Sequence, residues 1–392
     1  MTIEQVYTLV NSATSTVIGE NAVLSEDLSN VVDIGREIQN LDDGYNKIVN
    51  SLVDHIGKVI FVNRPYAGSA PSVMMDAWEF GSILEKIDSE MPDATINESW
   101  ELTDGASYDP FVFHAPVAHA KFFNKMVTFE VDRSILDRQL RESFSNATQL
   151  NAFVSMLYNE VEKSLTIKND ALVMRTINNA IAETLYDFSS TGAYGASSGN
   201  RAVNLLYLYN SRFSPTEPLT ASAALYNPDF IRFAAYHMGL YIDRVRRMSV
   251  LFNIGGKQRF TPRDRLHVIL LSEFEKAAGV YLYDAANQFN NESIKLPRAE
   301  TVPFWQGSGT DYGFASTSAV KVTTASGHAV NAAGILGVMF DRDALGVANF
   351  DSRVTTQYNA KAEFTNYFYK RDARYFNDFN ENFVVFYVAD ET

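Results

Sequence analysis

The sequence predicts an α+β fold, and three stretches of its 392 residues carry that prediction. An amphipathic stretch runs from Asn146 to Asp187 without a proline or glycine. An aromatic segment rich in turn residues precedes it, from Asn63 to Val131, and a series of strands follows residue 351. Long helical and extended stretches that are segregated along the chain are typical of the α+β class.

The composition indicates a folded protein that makes no use of cysteine. Hydrophobic residues account for 46% of the chain and charged residues for 20%, a balance that favours a packed core over disorder. The absence of cysteine excludes disulfides, thiolate metal sites and cysteine nucleophiles. No basic N-terminal segment precedes an apolar core and no window approaches 18 continuous apolar residues, so we expect neither secretion nor a membrane span.

The charge is acidic, with 47 acidic against 33 basic residues and a net charge of −14. General nucleic-acid binders need a basic face that displaces phosphate counterions, and this balance argues against one. It suits a protein that stays soluble at high copy number, or one packed beside DNA without adhering to it.

Residues 1 to about 60 read as short amphipathic helices that are too small for a core of their own, so we expect them to lie against another part. The next segment, 63–131, is called the aromatic ribbon below. It predicts a long antiparallel excursion, with Phe111 and Phe113 in a strand and a short helix over Ala77 to Ile87. Among its large apolar residues are Trp78, Phe80, Trp100, Phe111, Phe113, Phe122 and Phe123. A projecting ribbon with these side chains is unstable in water unless a second surface covers it.

The long amphipathic stretch predicts one helix of about 42 residues, roughly 60 Å long. Its apolar positions are Leu150, Phe153, Val154, Leu157, Val161, Leu165, Ile177, Ile181 and Leu185, and Asn146 with Gln149 forms a capping box at its start. A compact monomer of this length has a radius of gyration of about 21 Å, so the helix crosses the whole body. Two helices broken near 166–170 are the alternative. The polar side, predicted to be wet or to meet another chain, carries Asn151, Ser155, Asn159, Glu160, Lys163, Lys168, Asn169 and Arg175.

A Ser/Gly-rich passage leads to a predicted α/β lobe. Asn227 followed by Pro228 predicts a helix start, and Ser272 with Glu275 predicts another. Leu266–Leu271 and Ile335–Phe340 predict buried strands, with a single helical turn over 341–345. The strands near the end are predicted over Arg353–Tyr358, Ala362–Tyr375 and Phe383–Val388, and the last of these is apolar on both faces and therefore covered on both sides.

The search for chemistry finds no site. Gly195 to Gly199 matches a hydrolase nucleophile elbow around Ser197, but that motif needs a strand before the serine, and here a helix precedes a linker-like passage. The six histidines form no pair at helical metal spacing. Gly255-Gly256-Lys257 lacks the spaced first glycine of a phosphate loop. The aromatic run 364–379 could stack bases, although its alternation fits a two-sided sheet equally well and the acidic charge opposes nucleic-acid binding. We therefore expect no catalytic, cofactor or metal site.

The order of short arm, ribbon, long helix, compact lobe and long strands resembles the major capsid proteins of tailed bacteriophages, which have the Hong Kong 97-type (HK97-like) fold. The stretches most similar to that family are Leu52–Gly57, Phe153–Val161, Gly334–Leu345, Tyr367–Tyr369 and Phe383–Tyr387. The resemblance covers nearly the whole chain and is greatest to small tailed phages that have a separate scaffolding protein.

The resemblance implies five parts: an N-arm (1–62), an extended loop (63–132), a spine helix with part of a peripheral domain (133–190), an axial domain (191–350) and the C-terminal strands of the peripheral domain (351–392). It implies pentamers and hexamers of this chain that form an icosahedral or prolate shell around phage DNA, assembled in the host cytoplasm with a scaffolding protein and a portal protein. The extended loop would lie over the spine and peripheral region of the neighbouring subunit, so the resemblance predicts contacts between subunits at Trp78, Phe80, Trp100, Phe111 and Phe113. In some relatives a covalent bond between a lysine and an asparagine joins neighbouring subunits, and we match no residues of this sequence to that pair.

Three other functions stay open at this point. The first is an encapsulin-like cellular compartment of the same fold. The second is a soluble α+β hydrolase that uses Ser197 or an acidic pair. The third is a ring-forming tail or connector protein.

Overall fold

The structure is a computed structural model, which describes residue 11 and residues 71–73, 84–136, 147–189, 197–281, 299–305, 319–324 and 327–390. The predicted N-arm (1–62) lies outside the described residues except for Asn11, and so do Trp78, Phe80 and the predicted helix cap Asn146. The backbone of 147–159 is described without its side chains. Within the described chain, no helix is long and apolar enough to cross a membrane.

The aromatic ribbon is built on two antiparallel strands. Strand β1 (Leu84–Ser89) pairs with β2 (Ala118–Phe123), and the backbone N–H of Glu90 donates to the carbonyl of Val117 at 2.8 Å to close the pair. Residues 90–117, called the ribbon loop below, contain only one short 3₁₀ turn, Glu98–Trp100. The predicted helix over Ala77 to Ile87 is wrong for 84–87, where side chains alternate between partly buried and exposed as in a strand.

The predicted long helix is confirmed as α1 (Ala147–Ser189), a single helix of 43 residues, and the alternative break near 166–170 is wrong. Its polar face is exposed at Glu160, Lys163 and Lys168, as predicted. Asn169, which the spacing predicts on that face, is fully buried, and the following Asp170 is buried as well. From residue 169 onward, neighbouring elements enclose the helix on nearly every side, so its solvent-exposed face ends there.

A three-stranded antiparallel sheet lies along α1. Its order is β10 (Leu345–Asn359), β11 (Phe364–Asn377), β3 (Met126–Leu136). Strand β3 is the direct continuation of the ribbon, so the ribbon and this sheet share one covalent and hydrogen-bonded framework. The helical turn predicted over 341–345 is wrong, because these residues form a tight turn into β10.

The lobe contains a five-stranded sheet of order β4 (Ala202–Asn204), β12 (Phe383–Tyr387), β9 (Ile335–Asp341), β5 (Leu266–Leu271), β6 (Ala299–Val302). All residues of β5, β9 and β12 are buried, which confirms that β12 is covered on both faces. The sequence grouped β12 with the strands before it, but it pairs with β4 and β9 and lies in the lobe sheet.

Helices α2 (Leu205–Phe213), α3 (Ala221–Ala224), α4 (Pro228–Val245) and α5 (Ser272–Tyr281) complete the lobe. The predicted cap Asn227 is confirmed, since its side-chain oxygen accepts from the N–H groups of Asp229 and Phe230. Asn204 caps α2 in the same way. A two-stranded hairpin, β7 (Val320–Thr323) and β8 (Ala329–Ala332), packs against α1.

Candidate functional site

The ribbon loop has no core of its own. Every side chain described in it is exposed, including those of Trp100 (95%), Phe111 (90%) and Phe113 (85%). Its other exposed large apolar residues are Met91, Ile96, Leu102, Tyr108, Val112 and Val117. Single exposed apolar residues are ordinary on a protein surface, but a continuous set of this size marks an interaction surface.

The same loop is strongly acidic. It contains six carboxylates and neither lysine nor arginine. The carboxylates are Glu90, Asp93, Glu98, Glu101, Asp104 and Asp109. A surface that combines large apolar groups with one sign of charge favours a partner surface that is apolar and basic.

Three of the five predicted contact residues lie on this loop, and two lie outside the described chain. Trp100, Phe111 and Phe113 share the loop, whereas Trp78 and Phe80 are not described. The predicted strand over Phe111 and Phe113 is wrong. Phe111 lies in a turn, and its backbone N–H donates to the Asp109 carboxylate at 2.9 Å. The aromatic rings therefore project from an irregular loop, where no strand geometry assigns them to alternate faces.

Charged groups hold the base of the ribbon to the rest of the molecule. Lys86 of β1 and Lys121 of β2 lie directly opposite each other, and both amino groups contact the Asp378 carboxylate, at 3.0 and 2.8 Å. Like charges at opposed positions destabilise a strand pair unless an acid lies between them, which is the role of Asp378 here. These three residues are called the root latch below.

The electrostatics of the root latch favour the ionised form of its acid. The Asp378 side chain is only 4% exposed, and burial by itself raises the pKa of that carboxyl. The hydrogen bond from Lys121 and the charge of Lys86 outweigh burial, so the pKa of Asp378 lies below its ordinary value. Ionised Asp378 therefore stabilises the docked ribbon.

A second set of charges surrounds the latch. Arg259, from the loop after α4, pairs with Asp88 of β1, and its Nε lies 3.4 Å from Glu381 Oε2. The hydrogen bond from Arg259 lowers the pKa of Asp88, whereas burial raises the pKa of Glu381 despite Lys86 and Arg259 nearby. The ribbon is thus tied to the loops that flank the lobe sheet, so its direction is set by the lobe.

Sequence reasoning missed both charge clusters. Lys86 and Lys121 are 35 positions apart, and Asp378 comes from the far end of the sequence. The only signal is the pair of lysines that β1 and β2 place opposite each other, and it becomes visible once the register of the two strands is known.

The described residues do not place a strand before Ser197, as a nucleophile elbow requires. Ser197 is exposed in an irregular segment before β4, and the preceding described element is helix α1. The next residue, Ser198, accepts a hydrogen bond from the N–H of Asn204 at 3.1 Å and so serves the start of α2. In the described part of the chain, no group of three or more histidine, aspartate or glutamate residues could hold a metal ion.

Comparison with known proteins gives one family and a set of similar folds. Residues 8–387 match the family model described as Phi29-like phage major capsid protein. The capsid structure of Staphylococcus phage Andhra is similar with a TM-score of 0.50 at 8% identity, over 84% of this chain and 87% of that one. The capsid structure of the cyanophage P-SCSP1u has a TM-score of 0.47 at 11% identity, over 90% and 99% of the two chains. No curated protein matches the chain.

Proposed function

The chain belongs to the family of Phi29-like phage major capsid proteins, and from that membership we propose that the ribbon loop is the element through which it builds the phage shell. Its HK97-like fold and its role as a major capsid protein follow from the family and from the fold shared with the Andhra capsid. An encapsulin-like compartment, a soluble hydrolase and a tail or connector protein are not favoured by this match.

The observation that supports the loop's role is its exposure. Trp100, Phe111 and Phe113 are between 85 and 95% exposed, and covering side chains of this kind stabilises by roughly 1.5–3 kcal/mol each. In our proposal the loop crosses to a neighbouring copy and lies over its α1 and three-stranded sheet. The contact is heterologous, since one surface of each copy meets a different surface of the next, and such contacts close into rings.

We assign the parts of the chain as the family order implies. The N-arm is 1–62, the extended loop 63–132, the spine and part of the peripheral domain 133–190, the axial domain 191–350 and the remaining peripheral strands 351–392, except that β12 belongs to the sheet of the lobe. Pentamers and hexamers of the chain form an icosahedral or prolate shell, assembled in the host cytoplasm with a scaffolding protein and a portal protein. The role is structural, without catalysis or a cofactor.

The net charge of −14 supports enclosure of DNA without sequence-specific binding. Each contact between subunits need only be modest, because many simultaneous contacts hold a closed shell together.

The test replaces residues 90–117 with a short Gly-Ser turn. We expect this variant to fold, with a circular dichroism spectrum close to that of the intact protein, because the deleted loop contains little regular structure. We expect it to form no shells in negative-stain electron microscopy. Normal particles from this variant would contradict the proposal.

A matched pair of variants separates apolar contact from mere loop length. Changing Trp100, Phe111 and Phe113 to serine should abolish shells, because the apolar area is lost while the loop stays the same length. Changing the same three residues to leucine keeps much of that area, and we expect shells to persist. Equal assembly of the serine and leucine variants would show that the loop acts in some other way.

A further inference from the structure

A cleft opens at the base of the ribbon, where the β2–β3 turn meets α1 and the end of β11. Its volume is about 250 Å³. The residues that matter are Phe122, Lys125, Arg175, Tyr375, Asn377 and Phe379. This space, called the root cleft below, is of a size to receive one large aromatic side chain.

The walls of the root cleft suit an aromatic ring. Phe122 is 60% exposed, and the guanidinium of Arg175 lies 5.8 Å from the centre of the Tyr375 ring. Aromatic and arginine side chains are enriched at the energetic centres of protein interfaces. An incoming ring would find apolar contact on several sides and a cation beside it.

Among the aromatic residues of the ribbon loop, Trp100 has the largest ring, and it lies between two of the loop's carboxylates, Glu98 and Glu101. It therefore combines a ring that the root cleft can enclose with charges opposite to those of Lys125 and Arg175.

The charges around the root cleft complement the ribbon loop. Lys125 and Arg175 line it, against one acid, Glu183. The ribbon loop carries six carboxylates and no basic residue. Opposite charges on the two surfaces steer their encounter and fix their relative position.

We propose that the root cleft of one copy receives the ring of Trp100 of a neighbouring copy, with the carboxylates beside that residue facing Lys125 and Arg175. This inference rests on the proposed function and names the receiving site. The 17 residues from Leu84 to Trp100 span at most about 55 Å when extended, which is comparable with the roughly 65 Å length of α1, so the tip can cross one subunit. Because donor and receiver lie at the two ends of the same ribbon, each copy gives one contact and accepts another.

The absence of native cysteine allows a direct test by cross-linking. Ser99→Cys places a thiol beside Trp100, and Thr323→Cys places one on the exposed edge of the root cleft. Assembled shells of the double variant, treated with a short bis-maleimide, should give a ladder of covalent multimers on denaturing gels. The control pairs Ser99→Cys with Ser222→Cys, on an exposed position of α3, and should stay monomeric.

Substitutions measure the strength of the contact. Trp100→Ala should raise the subunit concentration needed for assembly by roughly 10- to 30-fold. Trp100→Phe keeps a smaller ring, and we expect a smaller rise, of roughly fivefold. Lys125→Glu should weaken assembly, and adding Glu101→Lys in the same chain should restore it.

The outcomes separate this inference from the proposed function. Shells from the loop-deleted variant would overturn both. If that deletion abolishes shells while the Thr323 pair gives no more ladder than the Ser222 pair, the loop acts at another receiving site and only this inference is overturned. If the cysteine variants fail to assemble, the Lys125 and Glu101 exchange decides, and a failure of rescue there overturns the inference.

Discussion

Two tryptophans in two regions of this subunit show opposite uses of the same side chain. Trp305 in the lobe is fully buried, and its Nε1 donates to the carbonyl of Ile335 at 2.9 Å. Trp100 in the ribbon loop is 95% exposed. The lobe completes its core within one chain, whereas the loop presents equally apolar groups that the described part of its own chain leaves uncovered.

The difference comes from the surrounding elements and not from hydrophobicity. The lobe sheet places strands β5, β9 and β12 side by side under helices, so every side chain on them is enclosed. The ribbon is two strands wide, and within the described residues no second layer covers its loop. A two-stranded ribbon cannot build a core, so we expect its apolar groups to contact other molecules.

The largest expected effect is a loss of stability in the lobe that leaves the ribbon unchanged. Trp305→Ala should lower the free energy of unfolding by about 3–5 kcal/mol, because it opens a cavity in a packed core and leaves the Ile335 carbonyl without its donor. Trp100→Ala should change the same quantity by less than about 0.5 kcal/mol. Urea unfolding of unassembled subunits measures both.

An equal loss of stability in the two alanine variants would remove the contrast between the regions. Trp305→Phe is the control, since it keeps most of the buried area. It should cost less than Trp305→Ala.

The next effect loosens the ribbon from the lobe. Asp378→Asn leaves Lys86 and Lys121 facing each other without an ionised acid, and we expect a loss of about 1–3 kcal/mol, moderated because both lysines reach solvent. Hydrogen exchange should accelerate in β1 and β2 and stay unchanged in the buried part of α1. Asp343→Asn is the control, because it removes only the more exposed pair with Arg265 and should cost under about 0.5 kcal/mol.

Lowering the pH should have a smaller and gradual effect on stability through the root latch and its neighbour Glu381. The folded pKa of Asp378 lies below its ordinary 3.8, so its contribution is complete above about pH 4 and is lost as the pH falls through the lower folded value. Glu381 acts in the opposite sense, because its folded pKa is raised above 4.5 and protonation on acidification relieves a cost. Stability measured from about pH 7 down to about pH 3 should therefore fall only in the lowest part of the range. Asp378→Asn should flatten that acid limb, and an unchanged limb would show that other carboxylates cause it.

The smallest effect concerns the one residue that suggested catalysis. Ser197→Ala should leave shell yield unchanged and alter the unfolding free energy by less than about 0.5 kcal/mol, because the side chain is exposed in an irregular segment. Assays with generic esters should give the same background for both proteins. Ester hydrolysis that disappears in the variant would reopen the hydrolase reading.

Local patterns predicted α1 and several strands, but they misassigned 84–87, 111–113 and 341–345 and could not predict which distant segments pair. Apolar spacing and the absence of helix breakers predicted α1 as one helix, and unbroken apolar runs predicted β5 and β12. The burial of Asn169 depends on which elements enclose the helix, and the position of β12 beside β4 depends on topology. In the candidate site, the exposure of the ribbon-loop aromatics could be predicted because the ribbon is narrow. The root latch could not be predicted, because it depends on the register of β1 and β2 and on a contact with Asp378, which is distant in sequence.

The long sequence separation of paired strands has a kinetic consequence. Residues 126–136 pair with 364–374, and residues 202–204 pair with 385–387. Closing such distant segments makes folding slow, whereas α1 can form locally within microseconds. We expect stopped-flow refolding to recover helical circular dichroism well before the near-ultraviolet signal of the packed sheets. The rate at which shells form would then be limited by the rate at which individual chains complete their folding.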